Sequence, residues 1–407
     1  MSKVEEFLMK YNPEGVDNIP LWELTAWDKK FNAVDKSMQK KVIKYKYYLA
    51  KDLDALVDDT GDIRILYTNE KVAYTSEEKC KGNICEGEIV AIPWGGTPTV
   101  KYYNGKFVTG DNRIATSLDT KILNNKYLFY WMISQLGTIA DFYRGAGIQH
   151  PSMISVLSMQ IPLPHIKVQE EIVKILDSFT NLIDSLNEEL SLRQKQFEYY
   201  REKLLTFDDN VNWDLFDNIG EITDYVANGS FADLKKNVKY LQESNYAILV
   251  RTLDLSSNFK NNNFVYIDKN AYDFLEKSKL FGGEIIINNV GAGVGTVFCC
   301  PKLERKMSLG PNSVVLKTDN NKFYYYWLSS KQGQDKIFQI TSFSALPKFN
   351  KTSFKQILFP VIDEKIDADY IVEKLDAFES LISSLKEEIA LRQKQYEYYR
   401  EKLLTFD

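Results

Sequence analysis

The amino-acid sequence predicts an α+β protein with a pseudo-twofold internal repeat, in which two β-rich bodies are separated by two long antiparallel coiled-coil helices. Three observations predict this class. A helical segment occurs twice at an offset of 199 residues, both copies carry an apolar heptad pattern, and β-branched and aromatic residues are frequent in the sequence before each copy. With 407 residues, 44% of them hydrophobic, the chain has enough apolar material for two cores.

The repeat is nearly exact over one segment. Residues 185–208 read SLNEELSLRQKQFEYYREKLLTFD and residues 384–407 read SLKEEIALRQKQYEYYREKLLTFD, with 20 of 24 positions identical. The likeness extends upstream to Ile172 and Ile371. We therefore divide the chain into a first body (1–165), a central helix (166–207), a second body (208–365) and a C-terminal helix (366–407).

Apolar residues in both copies recur at alternating steps of four and three, which is typical of a coiled-coil seam. We expect the two helices to pair antiparallel, because the chain must return past the second body to form the second helix. The seam positions are Ile172, Leu176, Phe179, Ile183, Leu186, Leu190, Arg193, Phe197, Tyr200, Leu204 and Phe207, and their counterparts from Ile371 to Phe406. Two interpretations of Arg193 and Arg392 stay open: a buried charge that specifies register, or a side chain that reaches the seam edge beside a Glu.

Local signals place strands and short helices in the bodies. Residues 97–109 predict a β-hairpin that turns at Asn104–Gly105. Residues 284–298 predict a strand, a turn at the sequence GAGVG and a second strand; Thr296 stands where a dinucleotide-binding fingerprint has its third glycine. Short helices are expected at 124–143 and 321–339.

The chain offers little for catalysis. It contains only two histidines, His150 and His165, and no GxxxxGK[ST] phosphate-binding sequence. Its four cysteines lack the spacing of a zinc site, and we expect buried thiols. No metal site or catalytic residue is therefore predicted. The N-terminus lacks the apolar core of a signal peptide, and no apolar run approaches 20 residues, so we expect a soluble, cytoplasmic protein.

The net charge of −5 hides an uneven distribution. Residues 226–360 carry 18 Lys and Arg against 10 Asp and Glu, a net charge of +8, and residues 21–165 have a net charge of +2. The acidic excess lies in the flanking segments. Contacts with phosphates depend on local patches, so nucleic-acid binding is compatible with this composition.

Several polar loops are candidate DNA contacts. Residues 143–153 and 341–351 occupy corresponding places in the two bodies, and residues 229–240 combine an aromatic side chain with three lysines. Arg, Gln, Asn, Ser and Thr side chains can read base edges, while Lys suits phosphates. The candidate DNA-binding residues are Lys101, Arg144, Gln149, His150, Ser230, Phe231, Lys235, Lys236, Arg251, Asn289, Ser342, Ser344, Lys348 and Asn350.

The duplicated LRQKQxEYYREKLLTF sequence, at Leu192–Phe207 and Leu391–Phe406, resembles the conserved regions of the specificity (S) subunit of type I restriction–modification enzymes. Residues 229–255 resemble a target-recognition domain of that family. The resemblance covers essentially the whole chain. Unlike some members, this chain shows no tandem short repeats between the central helix and the second body.

The resemblance implies two β-rich target-recognition domains and a non-catalytic subunit that reads a bipartite, asymmetric site in double-stranded DNA. It also implies modification (M) subunits that bind S-adenosylmethionine and restriction (R) subunits that use ATP and Mg²⁺, with no cofactor bound by this chain. We expect two M subunits, on the repeated faces that carry Tyr199 and Arg201 and Tyr398 and Arg400. The alternatives are a single-chain DNA-modifying enzyme, for which we find no cofactor motif, and a coiled-coil scaffold without DNA contacts.

Overall fold

The computed structural model describes residues 3–80, 82–260 and 263–406. The chain forms two compact units: unit 1 comprises Met1–Asn187 and Glu387–Asp407, and unit 2 comprises Glu188–Lys386. Both divisions fall inside the two long helices. Each unit therefore contains one body, the first part of the helix that follows it, and the last part of the other long helix. In the described ranges no helix is long and apolar enough to cross a membrane.

The body of unit 1 is built mainly from strands. Its helices are α1 Lys3–Tyr11, α2 Leu21–Leu24, α3 Ala50–Leu53, α4 Glu77–Cys80, α5 Asn125–Ser134, α6 Leu136–Asp141 and α7 Met153–Leu157, followed by the long helix α8 Ile166–Leu205. Its strands are β1 Asn18–Pro20, β2 Thr25–Trp27, β3 Ile63–Leu66, β4 Val72–Thr75, β5 Cys85–Pro93, β6 Lys101–Thr109, β7 Asn112–Ser117, β8 Tyr143–Arg144, β9 His150–Pro151 and β10 Gln160–Pro162.

A six-stranded sheet with the order β2-β7-β5-β6-β3-β4 forms the core of this body. Strand β5 is central, and its apolar run is buried on both faces, as expected for a strand covered on both sides. Val90 and Ile92 join one hydrophobic cluster with α5, whereas Ile89 and Ala91 face a second cluster on the other side. The alternation follows from the two-residue period of a strand.

Unit 2 repeats this architecture. Its strands are β11 Trp213–Leu215, β12 Glu221–Asp224, β13 Ala247–Val250, β14 Tyr266–Ile267, β15 Lys279–Leu280, β16 Ile285–Asn288, β17 Val297–Cys299, β18 Lys306–Leu309, β19 Ser313–Lys317 and β20 Leu358–Pro360. Its helices are α9 Phe231–Asn237, α10 Thr252–Ser256, α11 Lys269–Phe274, α12 Asn321–Ser329, α13 Lys331–Ile340 and α14 Lys351–Phe354, followed by the long helix α15 Ala368–Leu404.

The strand pairings of the two bodies correspond. Strand β2 pairs antiparallel with β7, as β12 does with β19, and β3 pairs parallel with β6, as β13 does with β18. In unit 2 the strands are divided between two four-stranded sheets, β12-β19-β16-β17 and β14-β13-β18-β15. Strand β6 of unit 1, which lies between β5 and β3, therefore corresponds to two strands: β17 beside β16, and β18 beside β13. The α+β class and the internal repeat predicted from the sequence are confirmed.

Within each unit the long helices run antiparallel. In unit 1 the ring of Phe179 stacks on that of Tyr399, with centroids 5.3 Å apart, and Leu404 is buried in the same cluster as Leu176. In unit 2 the equivalent rings of Tyr200 and Phe378 stack at 5.4 Å. The predicted seam thus contributes to the core of each unit.

The structure decides between the two interpretations of the seam arginines, Arg193 and Arg392. Arg193 donates to Glu189 and Arg392 to Glu388, in each case one turn earlier on the same helix. Their side chains are 37% and 35% exposed. Both therefore reach the edge of the seam beside a Glu, and neither is a buried charge.

One predicted turn is wrong. Asn104 and Gly105 lie inside β6, where they pair with Glu88 and Gly87 of β5, and do not form a hairpin. The antiparallel pairing of β5 with β6 extends over seven residue pairs, so it outweighs the local turn preference. Gly87 and Gly105 pair with each other, and their positive φ angles of +155° and +138° are ones that glycine adopts without steric cost.

Other local predictions hold. Strands β16 and β17 pair antiparallel around the GAGVG turn. The segments expected to be helical form α5 with α6 and α12 with α13. The four cysteines are free; Cys80, Cys85 and Cys300 are buried, but Cys299 is only half-buried.

A repeated polar contact fastens each long helix to its body. In unit 1, Asp177 of α8 accepts hydrogen bonds from the Tyr130 hydroxyl at 2.5 Å and from Lys126 at 2.8 Å. In unit 2, Asp376 of α15 accepts from Tyr326 and Lys322. Burial and the bond to Asp177 raise the pKa of Tyr130, so its hydroxyl keeps the proton that the contact requires.

We expect Asp177→Ala to lower the free energy of unfolding by about 1–3 kcal/mol, because it leaves the buried Tyr130 hydroxyl without its acceptor. Asp184→Ala is the matched control, since Asp184 is exposed on the same helix two turns later; its effect should stay within about 0.5 kcal/mol. Urea denaturation followed by tyrosine fluorescence measures both. Equal stability of the two variants would show that the contact does not fasten the helix.

Candidate nucleic-acid interface

Loop A, defined as residues 144–150, lies against the segment that follows β5. Strands β8 and β9 pair antiparallel at its ends, with Arg144 opposite His150. The backbone N–H of Gly96 donates to the carbonyl oxygen of Gln149 at 3.3 Å. The side chains of Arg144, Gln149 and His150 are exposed. The fold thus presents these three predicted residues together at one end of the sheet.

The His150 ring is fixed in orientation. Its Nδ1 lies 2.6 Å from the carbonyl oxygen of Trp94. Because a carbonyl oxygen only accepts, Nδ1 carries the proton and, in the neutral ring, Nε2 keeps its lone pair as an acceptor. Loop A packs closely on this segment: a Cβ on Gly95 would lie 2.7 Å from the Ile148 side chain, which would have to move.

A cation–aromatic stack supports loop A, and the sequence reasoning missed it. The Arg113 guanidinium lies 3.9 Å from the Trp94 ring centroid, and the His150 ring stacks at 4.8 Å from the same indole. Asp111 accepts from Arg113 and Lys29, each at 2.9 Å. Burial opposes ionisation of Asp111, but these two hydrogen bonds outweigh it and lower its pKa. A tryptophan followed by two glycines directly after a buried strand was the available signal.

Loop B, defined as residues 342–348, has the same construction in unit 2. Ser342 and Lys348 form an antiparallel bridge, as Arg144 and His150 do. The backbone N–H of Gly291 donates to the carbonyl oxygen of Pro347 at 2.8 Å. The sequence prediction that the two loops occupy corresponding places is therefore confirmed.

Three predicted residues of loop B are exposed, and two neighbours are committed to the fold. Ser342, Ser344 and Lys348 face solvent, although the Ser344 hydroxyl donates to a backbone carbonyl within the loop. Asn350 caps α14 by accepting from the Ser353 N–H, and half-buried Asn289 donates to the carbonyl oxygen of Phe349. Asn350 and Asn289 thus shape the loop.

Helix α9 presents the remaining predicted residues of unit 2. Ser230 is its N-cap and forms a reciprocal capping box with Asp233, so its hydroxyl has a structural role. Phe231 is 83% exposed, and Lys235 and Lys236 also face solvent. An isolated aromatic ring this exposed is available for stacking.

A cavity of about 620 Å³ lies between α9 and the end of β16. Its apolar part comes from Tyr225, Leu234 and Tyr240, and Lys235 and Asn289 stand at its border. The cavity places α9 and the base of loop B on one continuous surface. Among the predicted residues of the second body, the cavity brings Phe231, Lys235 and Asn289 together.

Arg251, a predicted DNA contact, is held by an ion pair within the chain. Its guanidinium forms a two-point ion pair with Asp254, at 2.8 and 3.0 Å, and also donates to the carbonyl oxygen of Asn263. The hydrogen bond to Asp254 raises the pKa of Arg251. Because the Asp254 side chain is only 1% exposed, Arg251 serves to neutralise a buried carboxylate.

Lys101 also has a structural role. Its ammonium donates to the backbone carbonyl oxygens of Tyr67 and Asn69. Burial lowers the pKa of Lys101 to about 8. The side chain is thus held inward, where it ties β6 to the end of β3.

The predicted partner-binding residues differ in exposure. Tyr199 is 61% exposed and its repeat equivalent Tyr398 is 59% exposed. Arg201 is half-buried and pairs with Glu202, and Arg400 is half-buried over the Tyr396 ring. The tyrosines therefore present the accessible part of each face.

Two leucines extend these faces and were not among the predicted residues. Leu192 is 60% exposed and Leu391 is 57% exposed. Each lies seven residues, or about two helical turns, before Tyr199 or Tyr398 and so shares its side of the helix. Each leucine directly precedes a seam residue, Arg193 or Arg392, so the heptad pattern alone did not indicate that it is exposed.

The sequence of this chain matches a family model described as the type I restriction modification DNA specificity domain, over residues 13–192 and 210–391. The chain belongs to this family. The type I restriction enzyme EcoR124I/EcoR124II specificity subunit of Escherichia coli is 27% identical over 359 residues, which cover 84% of each chain.

A Haemophilus influenzae protein assigned as a type I restriction enzyme specificity subunit is 28% identical over 355 residues, covering 81% of this chain and 86% of the relative. Among solved structures, the S subunit of a type I restriction–modification system from M. genitalium has a TM-score of 0.61 and 16% identity, with 96% of each chain covered. The family model matches the chain twice, once over each body, in agreement with the internal repeat. The solved structure shows the same fold.

We expect Arg251→Ala to lower the free energy of unfolding by about 3 kcal/mol, because it leaves the buried carboxylate of Asp254 without its counter-charge. Arg144→Ala should change stability by less than about 0.5 kcal/mol, because Arg144 is exposed. Urea denaturation measures both free energies.

The same two variants also test whether Arg144 and Arg251 contact DNA. Arg144→Ala should weaken binding while the protein stays stable. If Arg251→Ala were as stable as Arg144→Ala and lost affinity only for the target duplex, Arg251 would be a base contact.

Proposed function

We propose that this chain is the DNA-reading specificity subunit of a type I restriction–modification complex. In this proposal loop A with its Trp94 support contacts one half of a bipartite double-stranded DNA site, and loop B with α9 contacts the other. The observation that carries it is the shared construction of the two loops, which are fixed by equivalent backbone hydrogen bonds at corresponding strand ends. Membership of the specificity-domain family supports it.

The two half-sites should differ in sequence. Loop A offers an arginine, a glutamine and a histidine, whereas loop B offers two serines and a lysine. Arg suits guanine, Gln suits adenine, and Ser is tolerant, so these sets favour different base patterns. A site read by two different loops is not palindromic.

We further propose that the chain directs chemistry performed by other subunits. Methylation would be carried out by M subunits that bind S-adenosylmethionine, and cleavage by R subunits that use ATP and Mg²⁺. The family description as a specificity domain supports this division. The cytoplasm is the compartment we propose, because the DNA that such complexes modify lies there.

The repeated helix faces are the proposed sites of two M subunits. Each face combines an exposed leucine with an exposed tyrosine: Leu192 with Tyr199, and Leu391 with Tyr398. Exposed aromatic and aliphatic anchors of this kind are typical of the centre of a protein interface. Two equivalent faces favour two copies of one partner.

The test of DNA reading is methylation-site mapping of the assembled complex. We expect Gln149→Ala with His150→Ala to relax or change the bases read in one half-site only, at about 1–3 kcal/mol per base pair. Ser342→Ala with Lys348→Ala is the reciprocal control and should affect the other half-site alone. Changes in both half-sites from one pair of substitutions would contradict the assignment of one loop to each.

The test of partner binding is native mass spectrometry of the co-expressed subunits. Tyr199→Ala should leave one M per chain, and Tyr199→Ala with Tyr398→Ala should leave none, since loss of an interface anchor costs about 2 kcal/mol or more. Tyr370→Ala is the control, because Tyr370 is 49% exposed on α15 outside both faces. A single M on the unsubstituted chain would contradict the proposal of two sites.

A further inference from the structure

Residues 36–51 form an acid-free basic segment in unit 1. They contain Lys36, Lys40, Lys41, Lys44, Lys46 and Lys51 and no Asp or Glu. All six lysines are exposed. None of them forms an ion pair with any residue in the described parts of the chain, so their charge is not neutralised there. We refer to residues 36–51 as the lysine strip.

Most other lysines of unit 1 have partners, which makes the strip distinct. Ion pairs with carboxylates engage Lys3, Lys29, Lys71, Lys106, Lys126 and Lys167. Lys79 and Lys101 donate to backbone carbonyl oxygens. The strip therefore gathers six unpaired lysines within 16 residues, whereas other unpaired lysines of this unit, such as Lys121 and Lys174, are scattered along the chain.

The strip is held in place by the sheet. The Gln39 side chain is buried and bonds the backbone of Lys29 and Phe31. The backbone N–H of Tyr48 donates to the carbonyl oxygen of Thr109. The ring of Tyr45 packs at 5.3 Å from that of Phe107. Since successive side chains of an extended chain alternate, the residues on either side of Tyr45 face solvent.

A chain of contacts joins the strip to loop A. Lys29 lies 4.2 Å from the ring centroid of Tyr47, which belongs to the strip. Lys29 also binds Asp111, which binds Arg113, and Arg113 stacks on the indole that supports His150. The strip and loop A are thus linked through a short series of direct contacts within unit 1.

The topology of unit 2 provides an independent parallel. The strip lies in the connection between β2 and β3, and its counterpart is the connection between β12 and β13, which contains α9. That connection carries Lys235, Lys236 and Lys239, all exposed and without an ion pair to the described residues. The same connection supplies unpaired lysines in both bodies.

We propose that the lysine strip binds the phosphate backbone of double-stranded DNA beside the bases that loop A reads. The proposal rests on the proposed DNA-reading function and adds the surface that supplies sequence-independent affinity in unit 1. An ammonium group suits a phosphate, and a contact with a phosphate carries no base preference. Each phosphate contact also releases condensed counterions, so it contributes about 0.9 to the slope of log affinity against log salt concentration.

The experiment compares charge-matched double variants of the full chain in its assembled complex. Lys44→Gln with Lys46→Gln removes the two lysines that flank Tyr45. Lys121→Gln with Lys174→Gln removes two exposed lysines of unit 1 outside the strip. Affinity is measured at several KCl concentrations, for a duplex that contains the sequence the complex methylates and for an unrelated duplex. Thermal melting verifies that each variant folds.

We expect the strip variant to show a slope shallower by about 1.8, with affinity for both duplexes reduced by the same factor and the methylated sequence unchanged. The control variant should keep the parent slope. An unchanged slope in the strip variant would overturn the proposal, as would a changed target sequence, which would make these lysines base contacts. Loss of M subunits with an unchanged slope would identify the strip as a protein-docking surface and overturn it as well.

Two different measurements test the lysine strip and the proposed DNA-reading function, so one can fail without the other. The slope difference between strip and control variants tests the strip. The ratio of affinities for target and unrelated duplexes tests DNA reading. A parent complex with no preference between duplexes but a shallower slope in the strip variant would support the strip and contradict the reading function.

Discussion

The core of each unit is completed by the end of a helix that begins after the other body. Leu404 is buried among residues of unit 1, and its repeat equivalent Leu205 is fully buried in unit 2. Burying one leucine stabilises by about 1.5–3 kcal/mol, and the neighbouring aromatic stacks add to this. The first body therefore lacks its whole core until the C-terminal end of the chain has folded against it, whereas the helix end that completes the second core directly precedes the second body. The near-identity of the two helix ends follows, because both perform the same packing.

The sequence predicted features that depend on local periodicity and failed where distant pairing decides. The heptad seam and the GAGVG turn are local, and both are present. The Asn104–Gly105 turn was wrong because seven pairings with β5 hold that stretch extended. Arg251 was read as a free side chain because the carboxylate that holds it, Asp254, is recognisable as buried only in the folded chain. Trp94 was missed because its two stacking partners are distant in sequence.

The anchoring of loops A and B separates fold stability from the identity of the reading side chains. Both loops are fixed through backbone groups, the N–H of Gly96 to the carbonyl oxygen of Gln149 and the N–H of Gly291 to that of Pro347. Backbone hydrogen bonds do not depend on which side chains the loop carries. Exposed residues can thus change without loss of a core contact, which is what a scaffold that accommodates different recognition sequences requires. Glycine is favoured at the two contact points because φ is +96° at Gly96 and +90° at Gly291.

A net charge of −5 does not oppose binding to a polyanion, because electrostatic attraction at 0.1 M salt is screened within about 10 Å. A phosphate is therefore attracted by the unpaired positive charges close to it and is little affected by the total charge of the chain. In unit 1 many lysines are neutralised by carboxylates, and those of residues 36–51 are not. Acidic residues outside loops A and B, such as the six between 208 and 225, lower the total charge without entering either loop. The distribution of ion pairs is therefore more informative than total charge about where a phosphate can bind, since a lysine already paired with a carboxylate has little attraction left for a phosphate.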